Sequence, residues 1–420
     1  MAGLIQSIRA LFGSRIRMLE ELGAEFPRIG RAEFGRINVV LLNEPDLIQE
    51  VLVDRVDEFE KGPALKVFSR PLLGDGLLNS NGEQHRRRRR LVAPAFAHQR
   101  VSRYAEVMRA HSEATVARWT NGATIDVAQE MMRLTLGIVG RTLFDVDLLD
   151  QADTLGRDIT TLQAWLIRQL RVPFRIPQFP AQVAALRRLN ETIYRLIRDR
   201  RASGADKGDL LSMLLLSKDE ETGQHLTDEE VRDEAMTLFV AGHETTAQAM
   251  AWSWYLLAQH PAQFERLRSE GMPYALLVMK EAMRLYPPAF VIGRAALQDM
   301  SIDGFTVRKG EVVLMAPWLL HRDPRLFDRP LDFDPDRFLP EREAALPRFA
   351  YFPFGGGRRI CIGNQFALME GQIILSTIAA RVSMELVSRR PVGLQPYITL
   401  RPKGGVRVRI ASTMASGASS

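Results

Sequence analysis

The chain's single cysteine sits in Phe354-Gly355-Gly356-Gly357-Arg358-Arg359-Ile360-Cys361-Ile362-Gly363, and no other stretch limits the possible folds so strongly. A lone cysteine cannot close an internal disulfide, which leaves packing, nucleophilic attack or metal ligation. Most single cysteines are small buried hydrophobes. The neighbours argue for something else. Consecutive glycines permit positive φ and let backbone amides approach a bulky partner. Arg359 can reach an anion on that partner, and Phe354 offers a flat apolar wall. A cysteine nucleophile would want a base beside it, and no histidine lies near in sequence. Amide donors close to a sulfur, a cation for carboxylates and an aromatic face together suit a thiolate-ligated haem.

The stretch resembles the haem-binding loop of cytochromes P450, Phe-x-x-Gly-x-Arg-x-Cys-x-Gly, with Phe354, Gly357, Arg359, Cys361 and Gly363 in its fixed positions. The resemblance covers nearly the whole chain. It implies a mainly α fold, a single large helical domain with small β-sheets over residues 1–420. It also implies haem b (iron protoporphyrin IX) as cofactor, contacted by Phe354, Arg359 and Gly363, with Cys361 as the axial metal ligand. Residues up to about 20 read as an N-terminal extension, and the small residues from about 412 to 420 as a disordered tail.

A length of 420 residues would allow two or three domains, yet no Ser/Gly linker, charge-run linker or internal repeat divides the chain. A hydrophobic content of 46% can fill one large core. One cysteine and 16 methionines fit a reducing compartment. Met1 to Phe26 carry Arg9, Arg15 and Arg17 and hold no apolar run long enough to span a bilayer. Membrane-bound P450s begin with an anchor helix, so the expectation is a soluble, cytoplasmic protein of bacterial type with no membrane span.

The net charge of +6 favours acidic partners, and its sharpest feature is Arg86-Arg87-Arg88-Arg89-Arg90. Taken alone, such a run suggests nucleic acid. In a helix, however, His85 and Arg89 are spaced i,i+4 and share a face. P450s place a His-x-x-x-Arg pair here to bind the haem propionates. For Arg86, Arg87 and Arg90 a solvated basic face is the expectation. Before this helix, Ile37 to Leu42 reads as a strand and Asp46 to Glu58 as a helix. The Gly/Pro/Leu-rich residues 61–82 would cover one side of a substrate pocket, with Leu65, Val67, Phe68, Leu72 and Leu78 as candidates. Helical periodicity from Val101 to Arg201 is broken by Pro173, Pro177 and Pro180. By resemblance this is the mobile connection over the substrate entrance, with Trp165, Leu166, Phe174 and Phe179 as candidate lining.

Thr227-Asp228-Glu229-Glu230 is a capping box, and nothing breaks the helix it opens before His260-Pro261. Such a helix is roughly 50 Å long at about 1.5 Å per residue, enough to cross the molecule. Glu234, His243 and Glu244 exclude a membrane span. Gly242 in mid-helix costs about 1 kcal/mol against Ala, so close approach by a ligand or local loosening is expected there. Thr245 can bond back to the carbonyl of Ala241 and open the backbone. The hexapeptide Ala241-Gly242-His243-Glu244-Thr245-Thr246 matches the P450 pattern Ala/Gly-Gly-x-Asp/Glu-Thr. By that resemblance Glu244 and Thr245 are the catalytic acid–alcohol pair that handles protons. Glu281 and Arg284 match the P450 Glu-x-x-Arg motif, which implies a structural ion network with Arg337 of Phe333-Asp334-Pro335-Asp336-Arg337-Phe338. Ala289 to Gly293 would pass beside the haem, with Arg294 a further propionate candidate. Leu78, Ala241, Val291 and Ile398 complete the expected substrate pocket.

The expected function is a haem-thiolate monooxygenase that inserts one oxygen atom of O2 into a hydrophobic small molecule such as a fatty acid or terpenoid. With no flavin or nicotinamide domain attached, electrons would come from a ferredoxin or flavodoxin and its separate NAD(P)H reductase. Arg86, Arg87, Arg90 and Arg358 would form its basic docking patch. The stretch from Pro261 to Glu281 is shorter than in the larger P450 subfamilies, which bears on the type of partner. The alternatives are a peroxygenase, an isomerase or dehydratase working without O2, and a non-enzymatic haem sensor or nucleic-acid binder. An acid–alcohol pair suits none of these.

Overall fold

The computed structural model describes residues 14–34, 37–62, 69–169, 177–218 and 223–413. The fold is mainly α, with small sheets at its edges. The helices used below are α1 (Arg15–Glu25), α2 (Gly82–Val92), α3 (Val127–Phe144), α4 (Ala152–Gln169), α5 (Pro180–Ser203), α6 (Asp228–Gln259), α7 (Met272–Leu285) and α8 (Asn364–Ala379).

Helix α6 is the axis of the molecule. It starts where the capping box closes: Glu230 N–H donates to Thr227 Oγ1 at 3.2 Å, and Thr227 N–H donates to the Glu230 carboxylate at 3.0 Å. It stops before Pro261, which opens the next helix and disfavours helical backbone at His260. Side chains all round α6 are buried, as befits a helix enclosed by others. Helices α3, α5, α7 and α8 pack around it. Gly242 marks the crossing of α3, since a Cβ there would come within 3.3 Å of the Val139 methyl. Trp252, fully buried, stacks on Tyr286 at 4.0 Å and donates to the Leu400 carbonyl at 2.9 Å. Burying one such side chain is worth about 1.5–3 kcal/mol, so this contact anchors a distant segment to the core.

The largest sheet runs in the order Ile29–Phe34, Ile37–Leu42, Val312–Met315, Ile292–Ala296, Phe59–Glu60. Ile37–Leu42 and Val312–Met315 pair in parallel, and the other pairs are antiparallel. A hairpin of Gly393–Pro396 with Leu400–Lys403 lies against α6.

Three sequence expectations differ from this structure. The helix expected from Asp46 to Glu58 is a short α-helix, Pro45–Gln49, followed by a π-helical turn, Glu50–Asp54, and a 3-10 turn, Val56–Glu58. Of the N-terminal extension expected to about residue 20, the part from Arg15 on belongs to α1, which buries Ile16, Leu19 and Leu22 on one face, and residues 1–13 lie outside the described residues. Of the disordered tail expected from about 412, residues 412 and 413 belong to strand Arg407–Thr413, which pairs with Val382–Leu386 as far as Thr413, and the remainder lies outside the described residues.

Candidate active site

The loop before Cys361 is shaped by its glycines. Gly357 has φ +62°, and a Cβ there would lie 1.9 Å from the Leu52 carbonyl oxygen. Only glycine fits both the conformation and the contact. Gly355 also takes positive φ, whereas Gly356 is extended and packs under the Phe349 ring. Cys361 N–H closes the loop on the Phe354 carbonyl at 3.0 Å. The Cys361 side chain is accessible. Burial pushes its thiol up, and the Gly363 amide, Arg89 and Lys61 pull the other way. Those three favour the thiolate.

Basic side chains from four segments meet beside this loop. His85 and Arg89 come from α2, Arg294 from strand Ile292–Ala296, Arg359 from the loop itself, and Lys61 from the residues after Phe59–Glu60. Burial, then Arg359, Lys61, Arg89 and Arg294, push His85 down to about 3. Arg294 is brought down to about 10 by burial and Arg359, and Lys61 falls well below its usual range for the same two reasons plus Arg294. The cations donate to neutral oxygens: Arg89 to the Ile360 carbonyl at 2.8 Å, Arg359 to the Ser80 carbonyl at 3.0 Å and to Asn81 at 2.9 Å. Arg294 donates to the Gly293 carbonyl and Lys61 to the Leu78 carbonyl. Buried like charges destabilise one another unless an anion joins them. A flat group with two carboxylates, held by a thiolate, fits this set.

Helix α6 supplies the other wall. From Val231 to Leu257 every residue is buried except Ala241, Gly242 and Thr245, which lie within one turn of each other and expose one strip of the helix. Thr245 donates to the Ala241 carbonyl at 2.8 Å, the back bond that loosens a helix.

A family model for cytochrome P450 matches residues 3–405. The chain belongs to the cytochrome P450 family. This P450 is 37% identical to cyclooctatin synthase of Streptomyces melanosporofaciens, over 86% of this chain and 84% of that one. It is 34% identical to pentalenene oxygenase of Streptomyces avermitilis, over 83% of both chains. It is 33% identical to cyclooctat-9-en-7-ol 5-monooxygenase of Streptomyces melanosporofaciens, over 90% of this chain and 87% of the other. It is therefore a haem-thiolate monooxygenase, and Cys361, its one cysteine, is the residue that would hold the haem iron. Among the described residues no helix is long and apolar enough to cross a membrane.

In this P450 Glu244 is not a free acid. Arg401 donates to its Oε1 from Nε at 3.1 Å and from a terminal nitrogen at 2.7 Å. Thr399 donates to the same oxygen at 2.5 Å, and the Gln163 amide donates to the other. Burial alone would raise this carboxyl, but Arg401 and Thr399 hold it below the usual range. Beside Thr246, Glu370 of α8 is wholly buried. The Thr246 hydroxyl donates to Gly242 instead, leaving Glu370 without a well-formed hydrogen bond, and burial pushes its carboxyl well up.

Glu281 and Arg284 of α7 form a two-bond ion pair at 2.7 and 2.8 Å, both wholly buried. Arg337 reaches the same carboxylate at 3.4 Å, and Asp334 N–H donates to it at 2.9 Å. The arginine run divides differently from the solvated face expected of Arg86, Arg87 and Arg90. Arg86 is exposed and pairs with Glu83, but Arg87 is half-buried and pairs with Glu230 at the start of α6. Arg88 is buried and pairs with Glu234 of α6 at 2.7 Å. Arg358 pairs with Asp57 at 2.7 Å, and Arg86 lies 3.8 Å from the same carboxylate. The expected basic patch is therefore largely compensated.

Of the pocket candidates, Ala241 lies on the accessible strip of α6, Leu78 and Ile398 are exposed, Val291 is half-buried, and Leu72 is in the core. Leu65, Val67, Phe68 and Phe174 lie outside the described residues, and Phe179 is exposed. Trp165, Leu166 and Leu72 line a small cavity of about 20 Å³ together with Gln163. The sequence reading missed Lys61, Gln163, Thr399 and Arg401, because none stands in a local motif that announces a role.

Proposed function

We propose that this P450 oxidises a neutral cyclic molecule of the terpenoid class, using electrons from a separate donor protein in the cytoplasm. The observation that carries the substrate class is Arg401. This cation lies three residues after Ile398, an expected pocket residue, yet it is paired with Glu244 at 2.7 Å. It is not free to receive a fatty-acid carboxylate. Two relatives, named for an olefin and for an alcohol, support the same choice.

In this reading His85, Arg89, Arg294, Arg359 and Lys61 hold the haem propionates, and Phe354 and Gly363 shape the space around the ring. The bound haem supplies O2 activation, with the Cys361 thiolate favouring O–O cleavage. Thr245 and Glu244 handle protons as general acid–base groups. Leu78, Ala241, Val291 and Ile398 bound the substrate. Glu281, Arg284 and Arg337 keep the loop side of the fold rigid. A ferredoxin or flavodoxin with its own NAD(P)H reductase is the donor class.

The test is a haem spin-state titration with a panel of cyclic terpene hydrocarbons and alcohols beside long-chain fatty acids. Terpenes should shift the spin state at low concentration and fatty acids should not. A panel in which only fatty acids shift it overturns the substrate class.

A further inference from the structure

Glu244 is held from outside its own helix. Thr399 and Arg401 flank Leu400, the first residue of the strand, and both reach the same carboxylate oxygen. Leu400 itself is fixed from two directions, its carbonyl by Trp252 at 2.9 Å and its amide by the Pro288 carbonyl at 3.0 Å. The third element is α4. Gln163 donates to the remaining oxygen of Glu244 and accepts from Arg401 at 2.6 Å, and Thr160 accepts from Arg401 at 2.9 Å. One guanidinium thus joins the 393–403 hairpin, α4 and the centre of α6.

We propose that Arg401 is a positioning residue that clamps Glu244 as a carboxylate while the hairpin and α4 are seated on α6, so that Glu244 can carry a proton only when this clamp loosens. This rests on the proton-handling role given to Glu244 above. To relay a proton, Glu244 must take one from water, become a neutral carboxyl and pass the proton on. Each of its oxygens already accepts a hydrogen bond, and a neutral carboxyl beside a guanidinium would forfeit the charge-assisted bonds. The groups that face it are Arg401 from the hairpin, His243 from its own helix, Gln163 from α4 and the Thr399 hydroxyl. His243 is buried and its Nδ1 is bonded to the Phe239 carbonyl, and burial lowers its pKa, so it stays neutral. Arg401 is therefore the cation that sets the state of Glu244. Because Thr399 and Arg401 lie just after Ile398, an expected pocket residue, seating of the substrate and proton supply at Glu244 share one latch.

The experiment compares wild type, Arg401→Gln and Arg401→Lys as holoenzymes by difference infrared spectroscopy, with Glu244→Gln to assign the carboxyl band. Wild type should show no protonated Glu244 at neutral pH. In Arg401→Gln the midpoint for protonation should rise by about 1–3 pH units, and Arg401→Lys should restore most of the wild-type value. Coupling of reductant to product and the solvent isotope effect should change in Arg401→Gln while the reduced-CO spectrum does not. An Arg401→Gln enzyme whose Glu244 band titrates as in wild type overturns the clamp. If that variant does not fold, Thr399→Val and Gln163→Leu remove other donors to the same carboxylate. Each should raise the midpoint by a smaller step, and no rise in either overturns the proposal. Unchanged coupling in Glu244→Gln would overturn the proton role of Glu244, while the infrared titration still decides the clamp.

Discussion

Arg401 places two of its nitrogens on a single oxygen of Glu244, although the two residues lie on separate elements, the 393–403 hairpin and helix α6. The pair has a consequence for stability. Burial would raise the Glu244 carboxyl, but Arg401 and Thr399 hold it below its ordinary value. A carboxyl depressed in the folded state stabilises the fold above its unfolded value, and that stability is lost as pH falls through the folded value. Wild type should therefore lose stability on acidification below about pH 4.3, the ordinary Glu value, and Glu244→Gln should lose less over that window. Urea melts on the acid side measure this, and equal slopes for the two proteins would refute it.

The axial ligand is checked by spectroscopy. The reduced CO complex should show the red-shifted Soret band of a thiolate haem, and Cys361→Ala should lose it. A variant that kept the band would remove Cys361 from the iron.

Thr245 lies on the accessible strip of α6 and bonds to Ala241 at 2.8 Å. Thr245→Ala should bind haem and substrate and still consume reductant. Product should fall, by roughly tenfold or more if general acid–base help is lost, while hydrogen peroxide rises. Reductant, product and peroxide measured together decide it, and unchanged coupling would assign the proton supply elsewhere.

Arg284→Ala would leave Glu281, wholly buried, with Arg337 at 3.4 Å as its remaining cation. Stranding a buried charge costs about 3–5 kcal/mol. Denaturant melts should show a loss of that size, and replacing both Glu281 and Arg284 with Leu should cost less than the single change. A loss under about 1 kcal/mol, the range of an exposed pair, would mean the network carries little of the fold.

Asp57 compensates Arg358 at 2.7 Å and lies 3.8 Å from Arg86. If an acidic donor docks on this face, Asp57→Asn should raise its association rate at low salt. The gain should fade as salt rises, since exposed charges are screened over about 8 Å at physiological ionic strength. Stopped-flow reduction at several salt concentrations tests this, and a rate insensitive to both the mutation and the salt would place docking elsewhere.

The sequence alone determined the features that depend on close neighbours along the chain. The Cys361 loop, the Thr227–Glu230 capping box, the Thr245 bond to Ala241 and the Glu281–Arg284 spacing are each set by the geometry of one loop or one helix. A reader of residues can see them because the spacing itself brings the groups together. Tertiary structure decided which charges meet across elements. Lys61 joined His85, Arg294 and Arg359, Arg88 found Glu234, Asp57 took Arg358, and Arg401 closed on Glu244. A sequence states how many charges a chain carries, but which of them pair is decided by how helices cross and where a hairpin lands. That is why Arg86, Arg87 and Arg90 were expected to share a solvated face, whereas the fold pairs Arg86 with Glu83 and half-buried Arg87 with Glu230, and sends Arg88 to Glu234 and Arg89 to the Ile360 carbonyl.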